Sequence, residues 1–139
     1  LKNNKHWFSS ETDEWYTPRD FYAELHKKYS FTLDPCALDS SALCDKYYTP
    51  KDDGLIQDWD GEVVFMNPPY GRDIGKWMKK AYETKGTVVC LVPARTDTAW
   101  WHDYAIKGQI EFIRGRLKFG GNKNSAPFPS ALVVFNNED

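Results

Sequence analysis

Val63-Val64-Phe65-Met66-Asn67-Pro68-Pro69-Tyr70-Gly71 decides how the chain folds. Four consecutive apolar residues, three of them β-formers, read as a strand buried on both faces, the kind found inside parallel sheets. Two prolines then remove two backbone donors and fix two φ angles near −65°. The residue before each is driven toward extended geometry. The result is a stiff corner at a strand end, holding the Asn67 amide and the Tyr70 ring with little entropy left to lose on binding.

Outward from the corner, helix and strand signals alternate. Ile74, Trp77, Met78, Ala81 and Tyr82 recur at helical spacing, with lysines 76, 79, 80 and 85 elsewhere on the cylinder and Gly86 as the expected C-cap. These lysines read as a solvated face or as contacts for a polyanion. Thr87–Pro93 is the next buried strand, and a helix carrying Trp100, Trp101 and Tyr104 follows. Gln109–Ile113 and Ser130–Phe135 are the last strands, separated by a flexible Gly120–Ser125 loop. Toward the amino terminus, Thr17 is the expected N-cap and Pro18 the first residue of a helix of about ten residues, with Phe21 and Leu25, joined by Tyr22 and Tyr29, on its buried side. Phe31–Pro35 is a short strand ending on Asp34, and Lys46–Tyr48 is another. Residues 1–14 are polar and expected to be loose.

Alternation of this kind predicts an α/β domain with a mostly parallel sheet and helices on both faces. Ligands bind such sheets beyond the carboxyl ends of the strands, near the topological switch point. Asp34, Asn67 and Pro93-Ala94-Arg95 all fall at strand ends, so they are expected to form one site.

The totals restrict the function. A length of 139 residues fits one domain. A net charge of −2 conceals an asymmetry: residues 1–69 carry 7 Lys and Arg against 13 Asp and Glu, a net of −6, and residues 70–139 carry 11 against 7, a net of +4. A polyanion would meet the second half. Aromatic residues make up 16%, more than a small core requires, so some rings are expected to line a site that stacks planar ligands. Cys36, Cys44 and Cys90 form no metal-binding spacing and fit a reducing cytoplasm. His6, His26 and His102 show no triad or metal pattern, and no apolar run approaches the ~18 residues of a membrane span.

The corner has a chemistry of its own. The Asn67 amide and a following backbone carbonyl are two acceptors held toward one point, while Tyr70 can stack on a planar ring. Accepting both hydrogens of an exocyclic amino group favours a pyramidal nitrogen and returns its lone pair as a nucleophile. That suits alkylation of an aromatic amine or a planar amide, by positioning and electrostatics without a covalent enzyme intermediate.

The ordered set WYTP (15–18), LDPCA (33–37), DDGLIQDW (52–59), NPPYG (67–71), LVPAR (91–95), GRLKF (115–119) and APFPSALVVF (126–135) resembles the phage-type DNA N6-adenine methyltransferases, over nearly the whole of residues 15–135. NPPY alone is shared with methyltransferases acting on protein glutamine and on RNA guanine; a non-catalytic DNA-binding module keeping the fold is a further alternative. The resemblance implies a compact Rossmann-like methyltransferase fold with an antiparallel C-terminal strand, spanning residues 15–139 without a separate target-recognition domain. It further implies S-adenosylmethionine as cofactor, DNA as substrate, no metal and no membrane, and a monomer or homodimer. A phage- or prophage-encoded enzyme in the bacterial cytoplasm follows, with protection of DNA from restriction as a role. By position, Asn67, Pro68, Pro69 and Tyr70 would hold and stack the target base, with the Pro68 carbonyl as second acceptor. Thr17, Pro18, Asp34, Pro35, Cys36 and Ala37 would surround the methionine and ribose end of the cofactor, with Asp39 a second candidate for the ribose. Asp58 and Trp59 would meet the cofactor adenine. Phe119 and Phe128 would pack near a flipped base, and Arg95, Arg116 and Lys118 would touch DNA. One departure stands out: the glycine-rich cofactor loop, DxFxGxG, is absent, so Pro35 is expected to set the bend while small Cys36 and Ala37 allow close approach.

Overall fold

A computed structural model describes residues 15–120 and 125–137. The expected loose segment 1–14 and most of the expected loop at 120–125 lie outside the described residues. In chain order the elements are α1 (Arg19–Tyr29), β1 (Leu33–Asp34), β2 (Lys46–Tyr47), β3 (Val63–Met66), α2 (Ile74–Glu83), β4 (Gly86–Pro93), α3 (Ala99–Asp103), β5 (Gln109–Phe112) and β6 (Ser130–Asn137). The six strands form one sheet in the order β2-β1-β3-β4-β6-β5. The first four are mutually parallel, and β6 runs antiparallel to both β4 and β5. The chain steps outward from β1 to β2 and then returns to the other side of β1 to lay down β3. The switch point therefore lies between Asp34 and Asn67.

Register shows that the helices cover both faces. Side chains alternate along a strand, so Phe65, Val89 and Val134 share one face and Val64, Val88 and Phe135 share the other. Tyr22 of α1 meets Phe65 edge-on at 5.3 Å, whereas Tyr82 of α2 meets Phe135 at 5.8 Å. α3 joins α2: Trp101 stacks on Phe112 at 6.3 Å, and Phe112 pairs with Ala131, on the Phe135 face. Val64, Phe65, Met66 and the run Val88–Val92 are fully buried, which explains their unbroken apolarity. Each contributes roughly 1.5–3 kcal/mol of transfer free energy.

Two local expectations are corrected. α1 starts one residue later than expected: Pro18 is the N-cap with ψ 134°, and the Thr17 hydroxyl accepts from the Asn67 amide instead. On the same helix Tyr22 is buried, while Phe21, Leu25 and Tyr29 are half-buried. Gly86 does not cap α2, whose C-cap is Thr84; it opens β4 with φ +155°, where an added Cβ would stand 2.7 Å from the Glu62 carbonyl.

Candidate active site

β3 stops where its sequence runs out of donors. Pro68 and Pro69 are buried at its carboxyl end, and Tyr70 turns back into the core to donate its hydroxyl to the Leu91 carbonyl at 2.9 Å. Burial pushes the Tyr70 phenol well above its ordinary range, so it remains a neutral donor. Its ring meets Phe128 edge-on at 5.6 Å and Phe119 at 6.1 Å. Trp15 completes the cluster, edge-on to Phe128 at 5.1 Å and Phe119 at 5.7 Å. Tyr70 is therefore a wall of this aromatic box, and the half-buried Trp15 and Phe128 are its more accessible rings.

Asn67 is held from a distance. Its amide nitrogen donates to the Trp15 carbonyl at 2.7 Å and to Thr17 Oγ1 at 2.9 Å, fifty or more residues back along the chain. Its Oδ1 is buried and has no hydrogen-bond partner among the described residues. An orphaned buried acceptor costs about 1–3 kcal/mol unless a donor arrives.

Asp34, at the end of β1, is held differently. Oδ1 accepts from the Cys36 backbone N–H at 3.2 Å and Oδ2 from that of Leu43 at 3.1 Å, so one carboxylate pins both ends of the loop leading toward β2. Desolvation raises its pKa to about 6, against the lowering effect of those two N–H groups. The loop contains no glycine, yet close approach occurs from outside it: a Cβ on Gly54 would lie 2.4 Å from the Pro35 carbonyl and 3.1 Å from the Trp77 ring. Pro35 and Ala37 are buried, and the Ala37 N–H binds the Tyr48 carbonyl at 2.9 Å.

Asp34 and Asn67 open into one cavity of about 410 Å³, shared with Thr17, Pro18, Cys36, Pro68 and Pro69. Arg19 and Lys118 bring positive charge to its rim, and Ser40, Ser41 and Leu43 line the side under the β1–β2 loop. The last three and Trp15 escaped sequence reasoning. The signal for the loop residues was topological: two parallel strands joined by only eleven residues require those residues to arch over the strand ends.

Other expected site residues lie elsewhere. Asp58 and Trp59 are separated from this cavity because they immediately precede β3, at the opposite end of its strand. They border a second hollow with Lys76, Lys79 and Lys80. There the Asp58 carboxylate accepts from the Asp60 N–H at 2.9 Å, while Trp59 is a core ring stacked on Trp77 at 6.1 Å and bonded to the Gly54 carbonyl at 2.9 Å. Asp39 is exposed and accepts from the Tyr47 hydroxyl at 2.8 Å. Arg95 is exposed beyond β4, 5.8 Å above the Phe128 ring; Arg116 donates to the Ala126 carbonyl at 3.4 Å, and Phe119 is buried in the aromatic box. Among the described residues no group of acidic, His or Cys side chains could hold a metal ion, and no helix is long and apolar enough to cross a membrane.

Comparison with known proteins agrees with the resemblance. The chain is 28% identical to the DNA N-6-adenine-methyltransferase of Haemophilus phage HP1 (strain HP1c1), over 91% of this chain and 80% of that protein. It is 30% identical to the DNA N-6-adenine-methyltransferase of Escherichia phage T1, over 84% of this chain but only 61% of that protein's length. A family model described as DNA N-6-adenine-methyltransferase (Dam) matches residues 4–137. With the match running almost from end to end, this chain belongs to the DNA N-6-adenine-methyltransferase (Dam) family.

Proposed function

We propose that this chain transfers a methyl group from S-adenosylmethionine to the N6 amino group of adenine in DNA, with residues 15–139 as the catalytic unit. The observation that carries the reading is the buried, unpartnered Oδ1 of Asn67, a residue that lines the same cavity as Asp34. The fit to the cofactor is tested by size and by donor chemistry. A cavity of about 410 Å³ falls within the ~300–1,000 Å³ of small-molecule sites. Asp34 uses one backbone N–H on each oxygen, which leaves acceptor capacity for a cationic group. An ammonium beside it would also relieve the desolvation that raises its pKa. Bound S-adenosylmethionine supplies the electrophilic methyl group.

This chain's residues do the rest. Asn67 Oδ1 and the Pro68 carbonyl accept the two hydrogens of the target amino group, which localises the nitrogen lone pair toward the methyl donor and positions it for in-line attack. As the new N–C bond forms, the methyl–sulfur bond would break with its electron pair returning to sulfur, leaving the neutral thioether; the alkylated amino nitrogen then sheds one of its two original protons to solvent, so no general base is required of the cavity. Chemistry on an amino group inside a duplex requires the base to leave the stack. Trp15 and Phe128 are the rings of the aromatic box that an extruded adenine can reach, with Tyr70 and Phe119 fixing their tilt. Arg19, Arg95, Arg116 and Lys118 are the cations assigned to phosphate contacts.

The test is incubation with methyl-labelled S-adenosylmethionine and, in parallel, duplex DNA, RNA and a glutamine-bearing protein substrate, followed by digestion to nucleosides or amino acids. Label in N6-methyladenine from DNA is expected. Label confined to the RNA or protein arm, or absent from all three, would refute the proposal.

A further inference from the structure

We infer that Thr17 is a positioning residue for methyl transfer, acting through Asn67; the inference rests on the proposed reading of the Asn67 corner. The geometry is a two-point latch. Trp15 offers a carbonyl at 2.7 Å and Thr17 a hydroxyl at 2.9 Å to the two hydrogens of the Asn67 amide. A carbonyl can only accept, so the amide has one allowed orientation. Turning it over would set Oδ1 against the Trp15 carbonyl oxygen and move the nitrogen to the place where the acceptor now stands. The orphaned Oδ1 is thus the consequence of where residues 15–17 lie.

That segment is anchored on its far side. Tyr16 and Gly120 exchange two backbone hydrogen bonds, 3.3 Å from the Tyr16 N–H and 2.8 Å from the Gly120 N–H. Trp15 is wedged edge-on against Phe119 and Phe128. The latch therefore ties the orientation of Asn67 to the strand-to-loop segment that carries the aromatic box.

The latch also bears on reactivity. Both hydrogens of the amide are donated, and each donated bond shifts electron density toward the conjugated oxygen, so Oδ1 becomes a stronger acceptor than that of a solvated asparagine. Thr17 consequently acts on the acceptor strength and aim of Asn67, a role distinct from forming the cavity wall. Thr17→Val removes the oxygen while keeping the shape; Thr17→Ser keeps the oxygen and removes a methyl group.

Two readouts on the full chain test this. The first is turnover on duplex DNA together with the cofactor Kd. Because Thr17 also lines the cavity, some rise in Kd is expected for Thr17→Val; the inference is read in kcat at saturating cofactor, which should fall at least tenfold in Thr17→Val and recover most of the way in Thr17→Ser. The second is NMR solvent exchange of the two Asn67 side-chain amide hydrogens without cofactor or DNA. Exchange should quicken at least tenfold in Thr17→Val and stay near wild type in Thr17→Ser. A Thr17→Val enzyme with unchanged kcat, a Thr17→Ser enzyme as slow as Thr17→Val, or amide exchange indifferent to both substitutions would overturn the inference. If wild type forms no N6-methyladenine, the function proposed above fails, and the exchange measurement still decides whether Thr17 holds Asn67.

Discussion

The loops leaving β1 and β3 both line the cavity, and they are built in opposite ways. After β1 the functional side chain holds the backbone: Asp34 pins Cys36 and Leu43 with its two oxygens, within nine residues of itself. After β3 the backbone holds the functional side chain: two prolines set the corner, and a segment some fifty residues away orients the Asn67 amide. A group that organises its own loop contributes to folding as well as to binding. A group oriented by others is free to present an unsatisfied atom, and the buried acceptor of Asn67 is what that freedom produces. The β1 side is thus expected to govern cofactor affinity and stability, and the β3 side to govern turnover.

The largest expected effect lies at the corner. Asn67→Ala removes one of the two acceptors proposed to hold the reacting amine and should reduce steady-state turnover on the order of 10²–10³-fold, as loss of a pre-set hydrogen-bonding group does. Thermal denaturation should show little loss of stability, because the substitution also removes an orphaned buried atom.

Next comes the pH dependence of Asp34. In the folded chain its carboxyl keeps a proton up to about pH 6, whereas an unfolded Asp loses it near 4. Its contribution to stability is therefore fully present below pH 4 and is lost as pH rises through 6, by about 3 kcal/mol at most. Urea titrations of wild type and Asp34→Asn should show the wild-type advantage shrinking between pH 4 and 6. A constant difference across that window would disconnect Asp34 from its buried setting. Cofactor affinity should move the other way, weakening toward tenfold per pH unit below 6 as the carboxylate gains its proton.

Gly54→Ala sharpens the contrast from outside either loop. A Cβ forced to 2.4 Å from the Pro35 carbonyl must displace the first residue of the β1 loop. We expect a destabilisation of roughly 1–3 kcal/mol with a raised cofactor Kd and an unchanged kcat at saturation. Smallest is Tyr70→Phe, which deletes the hydrogen bond to the Leu91 carbonyl and keeps the ring. It should cost about 1 kcal/mol of stability and leave turnover within threefold; a large loss of turnover would mean that the hydroxyl acts in the chemistry.

What the sequence revealed, and what it hid, follows the same division. β3, β4 and β6 were legible because strands buried on both faces must be continuously apolar, and α2 because Ile74, Trp77, Met78 and Ala81 all face the core at helical spacing. The Asn-Pro-Pro-Tyr corner was legible because it is local chemistry. The partners of Asn67 were not, since nothing in the residues near position 67 encodes a carbonyl at Trp15. The glycine serving the β1–β2 loop was hidden for a similar reason: it sits at Gly54, across a tertiary contact. Asp58-Trp59 was ambiguous because an acidic residue beside a tryptophan reads the same whether it meets a ligand or closes a turn and fills the core; the structure places the pair in a turn and in the core, away from the main cavity.

The central division, binding on the β1 side and chemistry on the β3 side, is tested most directly by single-turnover methyl transfer to duplex DNA measured across a cofactor titration. Wild type, Asp34→Asn and Asn67→Ala would be compared, with N6-methyladenine counted after nucleoside digestion. Asp34→Asn is expected to move the midpoint to at least tenfold higher cofactor while approaching the wild-type plateau. Asn67→Ala is expected to keep the midpoint within threefold while the plateau rate falls at least a hundredfold. Midpoint and plateau shifting together in both variants, or an Asn67→Ala rate restored by more cofactor, would contradict it.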